Sequence, residues 1–247
     1  MKKDHPSERG HIVAIGGGGF AADPPNLAID RYLLSLARRA RPNVGFLATA
    51  TGDLPGYVAR FLAVYAGLGC RPSALPLFTH TPDVAGWVRS QDVIFVGGGN
   101  TRSMLAVWRE WGLPDLLREA HAAGTVLAGQ SAGAICWFEQ GVTDSWAGPL
   151  RPLDCLRFLP GSCCPHYDGE AERKPAYRGF VEGGTLTAGV AIDDGAAVHY
   201  MGGERARVLA WRENAGAWQV ASAPGGVREE RLEPEWLEPV TPDWPVG

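Results

Sequence analysis

The 247-residue chain has no run of lysine or arginine longer than two, and its 23 basic residues are outnumbered by 27 acidic ones, for a net charge of −4. Binding to a phosphate backbone or an anionic lipid surface needs a basic stripe, so neither nucleic acid nor membrane is expected as a partner. No apolar stretch approaches the 18 residues of a membrane-crossing helix. The opening MKKDHPSERG carries charge with no apolar segment behind it, which does not read as a secretory signal. Cysteine is scarce: Cys70, Cys136, Cys155, Cys163 and Cys164 make an odd number with one adjacent pair. That is not a disulfide framework, and a reduced, cytoplasmic protein is expected. The Cys163-Cys164 pair near His166 lacks a second ligand pair at zinc spacing, so no metal and no cofactor is expected. Repeats, low-complexity tracts and linkers are also missing. A single domain over 1–247 is therefore expected, with a core of about residues 10–222 and a charged, Pro-rich surface tail from about 225.

What is present is an alternation of short apolar runs and helical patterns. His11 to Ile15 is a β-branched run ending in Gly16 to Gly19. Leu27 to Ala40 and Tyr57 to Leu68 have helical apolar spacing, with the strand-like Val44 to Ala48 between them. Ser73 to Phe78 reads as a weaker strand, and Pro76 argues for an edge position. Val93 to Val96 is the clearest buried strand and ends in Gly97-Gly98-Gly99-Asn100. Helical segments follow, with Met104, Leu105 and Trp108 inward and Leu113 to Ala123 closed by Gly124. Strand, helix, strand, helix with Gly-rich joints predicts an open, mostly parallel α/β sheet. Beyond about residue 140 a long packed loop is expected over Gly148 to Pro165, then a helix at Arg173 to Glu182. Short strands at Val190 to Ile192, Ala196 to Met201, Arg207 to Trp211 and Trp218 to Ala221 would complete one end of the sheet.

Two glycine-rich joints carry possible chemistry. Gly16, Gly18 and Ala21 fit the G-x-G-x-x-A form of a dinucleotide loop, but Pro24 and Pro25 stand where its helix should begin. No acidic residue follows the second strand for a ribose, so a glycine turn that permits close packing is the preferred reading. Gly129-Gln130-Ser131-Ala132-Gly133 is a full G-x-S-x-G between an apolar strand and an apolar helix. A nucleophile on such an elbow has strained backbone angles, and side chains two residues away on either side would clash. The Ala132 amide would then face a developing oxyanion.

A serine nucleophile needs a base and the base an orienting carboxylate. His166 follows Pro165 at the end of the long loop and is preferred to His199, which alternates within a strand. His5 lies in the polar leader, His11 opens a strand, and His80 and His121 have ordinary surface or helix contexts. Asp144, Asp193 and Asp194 are the candidate acids, whereas Asp168 stands too near His166 in sequence.

FVGGGNT (Phe95 to Thr101), GQSAGA (Gly129 to Ala134), CPHYDGE (Cys164 to Glu170) and AIDDGAA (Ala191 to Ala197) together resemble the peptidase E and cyanophycinase family of serine peptidases, over roughly residues 10–220. The resemblance implies a three-layer α/β/α sandwich with a mostly parallel sheet, similar to class I glutamine amidotransferases. It implies Ser131 as nucleophile, His166 as general base, and Asp194 as third member where relatives often carry Glu, with Asp144 the alternative. It also implies Gly99 and Ala132 as oxyanion donors. The expected activity is hydrolysis of small peptides through an acyl-enzyme. Dipeptides with N-terminal aspartate would be bound by Asn100 and by Arg173 or its rival Arg178. Arg102 departs from the peptidase E pattern. Cyanophycinase-like cleavage of β-linked aspartyl peptides and an α/β-hydrolase-type esterase are the alternatives, and a nucleotide-binding module on Gly16 to Gly19 is the non-enzymatic one. A monomer or homodimer is expected.

Overall fold

The computed structural model describes residues 10–79 and 83–244; His5 and His80 lie outside the described residues. The N-terminal half alternates β1 (His11–Ile15), α1 (Ala28–Ser35), β2 (Asn43–Leu47), α2 (Pro55–Gly67), β3 (Arg71–Ala74), α3 (Val84–Arg89), β4 (Val93–Val96), α4 (Thr101–Glu110), α5 (Leu113–Ala122), β5 (Val126–Gln130) and α6 (Ala132–Ile135). The second half runs β6 (Phe138–Thr143), β7 (Arg151–Asp154), β8 (Leu159–Cys164), α7 (Arg173–Glu182), β9 (Gly189–Ile192), β10 (Ala196–Met201), β11 (Glu204–Ala210), β12 (Ala217–Ala223), β13 (Gly226–Leu232) and β14 (Glu235–Trp236).

Eight strands form one sheet in the order β14-β11-β10-β1-β5-β4-β2-β3. The stretch from β1 to β3 is parallel, and β10 and β11 add antiparallel strands at the other end. Side chains alternate across a strand, and the core divides accordingly. Val13, Ile15, Val93, Phe95, Val126 and Ala128 face α1 and α2, where Leu33, Phe61 and Tyr65 are fully buried. Ile12, Ala14, Ile94, Val96 and Leu127 face the other way, onto Met104, Leu105 and Trp108 of α4 and Leu117 of α5. Helices on both faces of a parallel sheet make the expected α/β/α sandwich.

Three features differ from the sequence expectation. The strand-like segments after residue 140 divide between two sheets: β9 and β12 leave the first for a six-stranded sheet ordered β13-β12-β9-β8-β6-β7. The presumed loop of Gly148 to Pro165 contains β7 and β8, whose Pro and Gly content masked their strand character. The segment from 225 stays largely at the surface, but it carries strands: β13 pairs along its whole length with β12 and β14 pairs with β11. Val240 exchanges hydrogen bonds with Leu27 and Asn26, and the Trp244 ring lies over Gly67. Among the described residues no helix is long and apolar enough to cross a membrane.

Candidate active site

Strand β5 runs directly into the one-turn helix α6, and Ser131 is the joint. Its backbone sits at φ 53°, ψ −114°, a conformation that a side chain tolerates only under constraint. The constraint comes from both flanking glycines. A Cβ on Gly129 would stand 2.4 Å from the Gly133 carbonyl oxygen, and one on Gly133 would stand 2.2 Å from that of Val96. The Ser131 amide donates to the Ile15 carbonyl at 3.2 Å, and its own carbonyl accepts from Ala134 and Ile135. Both sides of the elbow are thus anchored.

His166 occupies the turn after β8, also at positive φ (53°). Its Nδ1 lies 2.6 Å from Oδ1 of Asp194, in the turn between β9 and β10. The hydrogen bond from His166 holds the Asp194 carboxyl below the usual range, against the opposing effect of burial. With Nδ1 engaged, Nε2 is the ring nitrogen left for a substrate or a serine. Asp194 is itself held at both ends of its peptide unit. Its amide donates to Asp168 Oδ1 at 3.0 Å, its carbonyl accepts from Arg212 Nε at 2.8 Å, and Arg212 Nη2 pairs with Asp168 Oδ2. Asp168, set aside as a triad acid for its nearness to His166, therefore orients the acid instead.

The first glycine loop serves this pair. Gly17 bridges Asp194 in the sheet direction, and a Cβ there would lie 2.1 Å from Asp194 Oδ1 and 2.8 Å from His166 Cε1. A Cβ on Gly16 would meet the Asp193 carbonyl oxygen at 2.0 Å. These glycines permit close packing against the acid turn, as the preferred sequence reading had it. The second glycine loop lies opposite. Gly99 has φ 129°, and a Cβ there would stand 2.4 Å from the Ala50 carbonyl oxygen. Chain contact alone thus demands glycine at this position. The Tyr57 hydroxyl accepts from Gln130 Nε2 at 3.0 Å, and a Cβ on Gly97 would stand 2.8 Å from the Tyr57 ring. Ala132 is the first residue of α6, and first-turn amides have no acceptor within their own helix.

Ser131, His166, Asp194, Gly98 and Gly99 all line one cavity of about 780 Å³, together with Gly17, Ala21, Ala22, Leu54, Tyr57, Trp211 and Arg212. Other expected site residues stand elsewhere. Asp144 is two-thirds exposed, and its nearest cation is Arg173 at 4.0 Å. Arg173 is 2% exposed: Nε donates to Glu170 at 2.7 Å and Nη1 to the Val142 carbonyl at 3.0 Å, so it ties α7 to β6. Arg178 pairs with Glu229. Asn100 caps α4 by accepting from the Ser103 amide and donates to the Ser145 carbonyl. None of these four lines the cavity. Asp193 is buried against Gly216, and burial, helped by Asp168, pushes its carboxyl up to about 7. His199 is buried between His11 (2.9 Å) and Tyr32 (2.8 Å), a satisfied strand residue. Sequence reasoning missed Tyr57, Trp211 and Arg212, which carry no motif and reach the site only through the fold.

A sheet with helices on both faces, a strained serine at a strand-helix joint and a His–Asp pair in the same cavity together define a hydrolytic enzyme. Residues 12–208 match the family model described as Peptidase family S51, and the chain belongs to that family; it is a peptidase. It is 48% identical over 227 residues to the uncharacterized peptidase YgaJ of Bacillus subtilis (strain 168), covering 92% of this chain and 98% of that one. It is 31% identical over 128 residues to peptidase E of Shewanella sp. (strain W3-18-1), 47% of this chain and 53% of the relative. Among solved structures, a peptidase from an acI-B1 Actinobacterium superposes with a TM-score of 0.69 at 16% identity, over 95% of this chain and 98% of that one.

Proposed function

We propose that this peptidase cleaves small peptides by a serine mechanism, with Ser131 as nucleophile, His166 as general base and Asp194 as the acid that orients it. The observation that carries this reading is the 2.6 Å contact of His166 Nδ1 with Asp194 in the cavity onto which the strained Ser131 elbow opens. His166 Nε2 takes the Ser131 proton as Oγ attacks the scissile carbonyl. The amides of Gly99 and Ala132 receive the oxyanion. His166 then gives its proton to the leaving amine, and water, activated by the same ring, releases the acyl group and restores Ser131. Asp194 remains ionised throughout and holds the imidazolium that forms in each half-reaction.

The test is hydrolysis of a panel of dipeptides by the purified chain and by Ser131→Ala, beside labelling with a fluorophosphonate. The expected result is turnover and labelling that both vanish in Ser131→Ala. Turnover that survives the substitution would overturn the serine mechanism.

A further inference from the structure

The second half of the cavity bears on which peptides enter it. The wall made by Ala21, Ala22, Leu54 and Tyr57 is mostly apolar, with Asn26, Thr51 and Gln130 also lining the cavity. Phe20 stacks on Tyr57 with ring centroids 5.6 Å apart, which brings the adjoining Ala21 and Ala22 to the face of α2. Arg60 of α2 fastens that loop from behind by donating to the carbonyls of Phe20 (2.9 Å) and Ala22. Leu54, at the start of α2, completes the wall at the mouth, where it stays 55% exposed with no apolar cover of its own. Because Tyr57 is bonded to Gln130, the residue before Ser131, and packs on Gly97, while Gly99 abuts Ala50, the serine reading sets this wall beside the carbonyl under attack. The leaving group departs on the opposite side, toward His166.

The charges point the same way. Arg212 is the one arginine or lysine among the described residues lining the cavity, and it is already bound to Asp168 and to the Asp194 carbonyl. Asp194 is the carboxylate that lines the cavity, and the Arg212 guanidinium is neutralised by Asp168 behind it. Arg173 is buried and bound to Glu170 and the Val142 carbonyl, close enough to lower the Asp194 carboxyl but not lining the cavity, and Arg178 is paired with Glu229. A substrate carboxylate set against this wall would lose water and gain no free cation, which is unfavourable in a partly desolvated site.

Resting on the serine-peptidase reading, we propose that the cleft selects peptides whose residue bearing the scissile carbonyl is apolar, seated on Ala21, Ala22, Leu54 and Tyr57, and discriminates against aspartate there. The experiment compares Leu-Ala, Met-Ala, Asp-Ala and Glu-Ala in two ways: kcat/KM with the unaltered chain, and Kd with Ser131→Ala by calorimetry. Leu-Ala and Met-Ala should exceed the acidic pair by about 100-fold in kcat/KM, with the same order in Kd. Leu54→Lys, at a half-exposed position, should narrow the Leu-Ala to Asp-Ala ratio by about 10-fold. A preference for Asp-Ala, equal use of all four, or no binding of any to Ser131→Ala would overturn the proposal. Turnover that persists in Ser131→Ala would instead overturn the serine reading, and the Kd order would still decide the selectivity.

Discussion

His166 Nδ1 and Asp194 Oδ1 meet at 2.6 Å across 28 positions of chain. Aspartate is one methylene shorter than the glutamate expected of relatives at this place, and the fold supplies the missing reach. His166 turns back at positive φ, Gly17 and Gly169 leave the carboxylate room on either side, and the Asp168–Arg212 pair holds the Asp194 peptide unit.

Asp194→Asn keeps the size of the side chain but replaces a charged acceptor with an amide that can present a donor to Nδ1. The wrong ring tautomer would then face Ser131. Loss of kcat by about 10⁴-fold is expected, with a melting temperature close to that of the parent. Steady-state kinetics and a thermal melt check both, and a loss under tenfold would remove Asp194 from the mechanism.

Gly17→Ala tests the close approach of the first glycine loop. Its methyl group would need the space now 2.1 Å from Asp194 Oδ1 and 2.8 Å from His166 Cε1. The pair must shift, and small displacements of catalytic groups cost about 100-fold in rate. A fall of that size in kcat, with KM changed much less, is the expected result. An unaltered kcat would show that the His–Asp geometry tolerates displacement.

Arg173→Met tests whether this arginine reads substrate or holds the fold. The guanidinium is buried, bound to Glu170 and to the Val142 carbonyl. Removing it strands those acceptors, at an expected cost of about 3 kcal/mol in urea unfolding. The ratio of kcat/KM for Leu-Ala and Asp-Ala should stay as it was. A change of tenfold or more in that ratio would return Arg173 to substrate recognition.

Asp30 gives a pH signature of stability. It is fully buried in the aromatic cluster beneath the cavity, accepts from Tyr65 at 2.9 Å, and burial pushes its carboxyl from 3.8 up to about 7. The folded chain therefore binds a proton there that the unfolded chain releases. The resulting stabilisation is complete below pH 4 and is lost as pH rises through 7. Relative to Asp30→Asn, the parent should lose up to about 4 kcal/mol between pH 4 and pH 8. His199, lowered by burial to about 4, acts in the opposite sense between pH 4 and 6.5, and the comparison of the two proteins cancels it. Urea melts across that range give the difference, and parallel curves would contradict the assignment.

The elements that local chemistry specifies were legible before any coordinates. Val93 to Val96 is continuous and β-branched or aromatic, so it could only be buried on both faces, and it is β4 without adjustment. The G-x-S-x-G segment announced its own elbow, because only glycines fit where Ser131 bends. The packing role of Gly16 and Gly17 was also readable from the prolines that follow. Less visible were β7 and β8, whose prolines and glycines give a loop-like composition while the neighbouring strands β6 and β9 supply their hydrogen bonds. The strands from Gly226 onward were hidden in the same way, since a charged stretch suits a half-exposed edge as well as a tail.

Residue types and their order thus determined the sandwich and the serine elbow, because strand burial, helix spacing and a strained turn are each decided within a few neighbouring residues. Only the tertiary structure brought Asp194, rather than Asp144 or Asp193, against His166, and left Arg173, Arg178 and Asn100 off the cavity wall. It alone brought Tyr57, Trp211 and Arg212 to the site. Those outcomes depend on distances between segments tens to hundreds of positions apart, set by sheet order and register, which no local pattern encodes.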